Sequence, residues 1–188
     1  TNIPAVWEPL RGHSTIQFVM AQRTPDDETT NGIHRVTSAT QSPGPSDNDP
    51  IKSAILGGVD AWDPTKYFNI WVGNFTRADL LGYSSYPIGT PEHDGENINQ
   101  QGIVVNASTL PGGSLAPFNR GRTLVHEAGH FFWLRHITGD QTCGDDFPGT
   151  PALDDTPKQD ALTDGCPTGN QSAGCTESPN PPGKMYQN

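Results

Sequence analysis

The stretch HEAGHFFWLRH, residues 126–136, sets three histidines and a glutamate within a few turns of chain. His126 and His130 are four residues apart, so on a helix they stand one above the other on the same face. One ion there can reach both imidazoles at about 2.0–2.1 Å. Glu127 is rotated by about 100° from His126, outside the ligand pair, but its carboxylate can reach a water on the metal. His136 lies beyond the helix, where a turn of chain can swing it back as a third ligand. A catalytic zinc takes three protein ligands and keeps an open fourth position. His126, His130 and His136 meet that count.

One of these histidines alone would be an ordinary surface or core residue, and H-E-x-x-H alone can arise by chance. The third histidine, on a helix apolar on its other faces, turns the spacing into an expected zinc site. His13, His34 and His93 have no paired spacing, and His93 with Asp94 makes a poor alternative.

Outward from the motif, FNRGRTLVHEAGHFFWL (118–134) predicts a helix with Leu124, Val125, Ala128, Phe131 and Phe132 on its apolar face and Asn119 as N-cap. Before it, STIQFVMAQ (14–22) alternates Ile16, Phe18 and Met20 with polar neighbours and predicts a strand, with a short one around 33–36. IKSAILGGVDAW (51–62) looks helical. KYFNIWVGNF (66–75) is apolar nearly throughout and predicts a central strand. LLGYSSYPI (80–88) predicts an edge strand, because Pro87 cannot donate to a ladder. GIVVNAS (102–108) predicts another strand. Past His136 the chain is rich in Gly, Pro, Asp and Thr, as in a segment held by bridges and ions more than by a core.

At 188 residues the chain suits one domain: an upper α/β part, 1–136, and an irregular lower part, 137–188. Only 32% of residues are hydrophobic, against 21 Gly and 18 Pro, which implies a loop-rich globular protein. The net charge of -10 argues against nucleic acid or an anionic membrane as partner and is compatible with bound cations. TNIPAVWEPL lacks the basic and apolar regions of a secretory signal, so if the chain is exported Thr1 is a processed end or another boundary. The three cysteines, Cys143, Cys166 and Cys175, include no C-x-x-C pair. Their odd count implies a free thiol, an intermolecular bridge, or a partner outside the chain.

HEAGHFFWLRH resembles the metzincin zinc signature H-E-x-x-H-x-x-G-x-x-H. FNIWVGN, LLGYSSYP, GIVVN, LRHITGD, DDTP and DGCP narrow the resemblance to the pappalysin family. It implies an α/β (α+β) metzincin-like catalytic domain: a twisted mixed sheet with the zinc helix above, and a disulfide- and calcium-stabilised lower subdomain. It also implies a secreted zinc endopeptidase acting on peptide or protein substrates, with Glu127 as general base to a metal water. An extended peptide would add to an edge strand, with Gly82, Tyr83 and Ser84 facing the cleft.

The chain departs from the family pattern twice. Trp133 stands where metzincins have glycine, and a left-handed conformation there costs a non-glycine residue about 1–2 kcal/mol. Strain or an alternative turn is expected, with His136 still bound; otherwise Trp133 simply packs beneath the site. The chain also ends at GKMYQN, where Met185 and Tyr186 lack Met-turn spacing, so it is expected to stop just short of that turn. The family's cysteine pattern, carried over, pairs Cys143 with Cys175 and leaves Cys166 without its partner.

CGDDFPGTPALDDTPKQD is rich in aspartate. Hard oxygen ligands in a Gly/Pro loop suit calcium, and a solvated acidic loop explains them equally well. The resemblance implies calcium, with Asp145, Asp146, Asp154, Asp155 and Thr156 as ligand candidates. Two rival readings remain, beside that of an inactive truncated form of the protease. A non-catalytic zinc- and calcium-stabilised binding module would close its metal with a fourth protein ligand. A gluzincin-like peptidase would take a distant glutamate, which His136 makes superfluous.

Overall fold

Ile103, Val104 and Val105 are completely buried, and the sheet is built around them. The computed structural model describes residues 8–46, 48–90 and 97–136. Three short strands, β1 (Ile70–Gly73), β2 (Gly82–Ser84) and β3 (Ile103–Asn106), form a mixed sheet of order β1-β3-β2. β3 runs parallel to β1 and antiparallel to β2. One helix, α1 (Arg122–Phe131), packs against β2 and β3. This is the expected α+β arrangement, a mixed sheet carrying the histidine helix.

The register explains the two faces. Trp71, Val104 and Tyr83 lie in one cross-strand row and share a core with Ile51, joined by Val59, Phe75 and Leu80. Full burial of side chains of this size stabilises by about 1.5–3 kcal/mol each. Gly82 and Val105 point the other way, towards α1. Beyond the helix's reach, Ile70 and Val72 are 42% and 52% exposed on β1.

The 66–75 run was expected to be central; the structure puts its strand at the sheet edge. Its apolar residues alternate between a buried and an open face, and the central position belongs to β3. The strand expected over 14–22 is absent. Ile16, Phe18 and Met20 are 58%, 64% and 58% exposed. Alternation marks a face, but a strand also needs a ladder of backbone bonds; among the described residues the Gln22 carbonyl accepts from the Thr30 N–H, and the bridge of Arg23 with Thr29 lies just beyond the segment. No strand forms at 33–36 either.

The expected helix at 51–62 is two 3-10 turns, Pro50–Lys52 and Ala54–Leu56. Ser53 between them is extended, and Gly57 ends the second at φ 94°, a conformation open to glycine. The first turn is capped by buried Asp49, whose Oδ1 accepts from the Ile51 N–H.

Thr1–Arg35 and Val36–Asn188 form two compact units; in the first, Asp27 closes a turn on Thr24 at φ 62°. No helix among the described residues is long and apolar enough to cross a membrane.

Candidate metal centre

α1 begins later than expected and without a side-chain cap. Gly121, at φ 74°, occupies the N-cap position, while Asn119, the expected cap, donates its Nδ2–H to the Gly113 carbonyl instead. A glycine can take the left-handed entry that Asn119 was not needed to supply. The C-terminal end is anchored by aromatic packing. Phe68, just before β1, stacks on Phe131 with ring centroids 4.4 Å apart and touches Phe132 at 6.2 Å.

The helix ends in a Schellman turn. The Leu134 N–H donates to the Gly129 carbonyl at 2.9 Å and the Trp133 N–H to the His130 carbonyl at 2.8 Å. Trp133 sits at φ 66°, in the left-handed region that this turn demands of the residue after the cap. The strain expected at Trp133 is therefore present. The turn reverses the chain and carries His136 back over α1.

Three imidazoles meet there. The His130 Nε2 lies 3.1 Å from the His126 Nε2 and 3.2 Å from the His136 Nε2. Two nitrogens bound tetrahedrally to one zinc, each at about 2.05 Å, stand about 3.3 Å apart, so these spacings fit an ion. The orientation of His130 fits too. Its Nδ1 lies 2.7 Å from the Leu134 carbonyl, an atom that can only accept, so Nδ1 donates there and Nε2 is the nitrogen turned to the other two rings. Burial, then the charge of His130, lowers the pKa of His126. Burial, then His130 and His126, lowers that of His136. Both effects favour the neutral, metal-binding form. His126 is exposed, while His130 and His136 are half-buried.

Glu127 is buried, at 6% exposure, and burial raises its carboxyl pKa to about 7. It packs where Gly82 leaves room on β2: a Cβ at position 82 would sit 3.0 Å from the Glu127 Cγ and 2.9 Å from the Thr123 Cγ2.

A known family and solved structures match the chain over most of its length. The family profile for pregnancy-associated plasma protein-A peptidases matches residues 54–178. The chain belongs to the pappalysin family. An extracellular metalloprotease of Arthroderma gypseum is 35% identical over 127 residues, which is 67% of this chain and 40% of that protein. One from Aspergillus oryzae is 35% identical over 147 residues, 78% of this chain and 41% of that protein. A promirolysin mutant from Tannerella forsythia superposes with a TM-score of 0.78 at 33% identity, covering 97% of this chain and 57% of its own. Mature mirolysin in complex with a cleaved peptide gives 0.76 at 36% identity, covering 94% and 63%. This pappalysin chain thus spans less than half the length of those fungal relatives. Membership of a metalloprotease family implies a metal.

The three residues expected along the pappalysin's cleft are divided by the strand. The Ser85 N–H donates to the Gly102 carbonyl and the Asn106 N–H to the Leu81 carbonyl. With Tyr83 opposite Val104, odd-numbered residues turn their main chain to β3. Gly82 and Ser84 turn theirs to the other edge, where no strand pairs among the described residues. The Tyr83 side chain does not face a cleft: it is buried, 7% exposed, with its hydroxyl bonded to Asp49 and Ser42. Alternation along a strand forces this split.

Asp145, Asp146, Asp154, Asp155, Thr156, Cys143, Cys166 and Cys175 lie outside the described residues, as do His93 and Asp94. Two contributors carried no signal in the sequence. Tyr86 touches His130 edge-on, and Arg135 lies over the Tyr86 ring; their nearness depends on the turn at Trp133.

Proposed function

We propose that this chain is part of a secreted zinc-dependent endopeptidase, with His126, His130 and His136 as metal ligands and Glu127 as general base. The observation that carries the proposal is the convergence of three imidazole Nε2 atoms on the helix that also bears the buried Glu127. The names of the fungal relatives, extracellular metalloproteases, support both the peptidase reading and export.

A zinc ion held there supplies Lewis-acid chemistry, making water acidic enough to lose a proton near neutral pH and polarising the scissile carbonyl. Glu127 takes that proton as the water oxygen bonds to the carbonyl carbon. It then hands the proton to the amine nitrogen as the C–N bond breaks, so water is added across the peptide bond and the carboxylate is restored. The substrate peptide lies along the open edge of β2, bonded to the main chain of Gly82 and Ser84. Tyr83 serves this edge indirectly, by anchoring the strand in the core. Residues 1–188 form one catalytic domain in this reading. A structural calcium on Asp145, Asp146, Asp154, Asp155 and Thr156, and a Cys143–Cys175 bridge, rest on the pappalysin resemblance.

The test is Glu127→Ala beside the wild type, with zinc content and hydrolysis of a peptide library both measured. Zinc should be retained while turnover falls roughly 100- to 10,000-fold, the usual worth of a general base. Appreciable residual turnover in the variant would remove Glu127 from this role, and a zinc-free wild type would remove the ligands from theirs.

A further inference from the structure

An aromatic ring braces the segment that carries His136. Tyr86, two residues past β2, stands edge-on to His130, with ring centroids 6.2 Å apart and planes at 76°. The guanidinium carbon of Arg135 lies 5.5 Å from the centroid of the same ring. Arg135 immediately precedes His136, whose Nε2 reaches within 3.2 Å of that of His130. One face of Tyr86 thus seats the neighbour of one histidine, and the same ring stands crosswise to another. Tyr86 and Arg135 are both half-buried, and a cation over an aromatic face is attracted more strongly as water is excluded.

The turn between the two contacts needs a brace. Trp133 holds φ 66°, and a non-glycine residue persists there only when its surroundings over-determine the conformation. The Schellman bonds supply part of that constraint, but they end at Leu134, short of the histidine. Arg135 on Tyr86 extends the constraint by one residue, up to His136 itself.

We propose that Tyr86 is a positioning residue for the metal centre: by seating Arg135 on its face and packing crosswise against His130, it holds His136 where the third imidazole nitrogen meets the other two. The inference rests on the reading of the three histidines as ligands. Its direction is unlike that of simple electrostatics, in which removing the Arg135 charge would tighten a nearby cation.

The experiment measures zinc affinity at neutral pH by competition with a chromophoric chelator, and the visible spectrum of the cobalt(II)-loaded chain, in five proteins. Tyr86→Phe keeps the ring and should bind zinc within about twofold of the wild type. Tyr86→Leu and Arg135→Ala should each weaken zinc roughly tenfold, the lower range for loss of a supporting group around a metal site. The double variant should be no weaker than the poorer single, because both remove one brace. In Tyr86→Leu the cobalt band should lose intensity, as water replaces a nitrogen ligand. Wild-type affinity in Tyr86→Leu, tighter binding in Arg135→Ala, or equal losses in Tyr86→Phe and Tyr86→Leu would each overturn the proposal. If Tyr86→Leu fails to fold, Arg135→Ala and Tyr86→Phe still decide it. A wild-type chain that takes up no zinc would overturn the ligand assignment, and this inference with it.

Discussion

Gly82 on β2 lies so close to Glu127 on α1 that a methyl group added to it would come within 3.0 Å of the glutamate Cγ. The same methyl would stand 2.9 Å from the Thr123 Cγ2 and 3.1 Å from the Val104 carbonyl oxygen. Those atoms belong to the helix and the central strand, so little can give. Gly82→Ala is expected to cost about 1–3 kcal/mol of stability through overpacking and to displace the Glu127 side chain. Denaturant unfolding and peptide hydrolysis check it; a variant as stable and as active as the wild type would show that this contact constrains nothing.

At Trp133 the contribution of backbone conformation can be separated from that of the ring. Both Ala and Gly delete the indole, but only Gly adopts φ 66° without steric conflict. Relief of about 1–2 kcal/mol, offset by about 0.5–1 kcal/mol for the freer unfolded chain, should leave Trp133→Gly more stable than Trp133→Ala by about 0.5–1 kcal/mol. Chemical denaturation of the two variants measures the difference. If Ala is the more stable, the turn has rearranged.

Tyr83 gives the fold a pH dependence on the alkaline side. Burial foremost, and then the hydrogen bond to Asp49, raise its pKa above the ordinary value of 10.0. A phenol harder to ionise when folded stabilises fully below about pH 10, and that contribution is lost as pH rises further, at up to about 1.4 kcal/mol per pH unit. Tyr83→Phe removes this slope. It also leaves the buried Asp49 with one donor fewer, costing about 1–3 kcal/mol at neutral pH. Urea unfolding from pH 8 to 11 should show the wild-type advantage shrinking above pH 10, and a constant gap would refute the assignment.

Metal removal should act on stability as well as chemistry. The three histidines bridge α1 and the segment after it, so an ion bound only by the folded chain stabilises it by about 2.7 kcal/mol at a hundredfold excess over Kd. Chelation should lower the melting temperature and stoichiometric zinc should restore it. A His136→Ala variant should gain much less from zinc, and an equal gain would put His136 outside the ligand set.

The histidine constellation was legible because helical periodicity alone brings His126 and His130 together. The left-handed turn at Trp133 followed from the need to bring His136 back after the helix. Other features depended on partners far along the chain. Ile16, Phe18 and Met20 alternate like a strand, yet nothing described pairs with them in a sheet. The runs that became β1 and β3 are similarly apolar, and only three-dimensional pairing decides which lies between neighbours. Tyr83 was expected at a cleft because its strand was correctly placed on the edge, but its parity along that strand sends the phenol into the core with Asp49 and Ser42. Tyr86 and Arg135 meet through folding that no local pattern encodes.

The reversal after α1 is closed by amide and carbonyl groups that nearly every amino acid possesses. Its path is therefore written in atoms common to most residues, and the occupant of position 133 changes only how deep the well is. A tryptophan can thus stand at position 133 while the chain still doubles back over the helix.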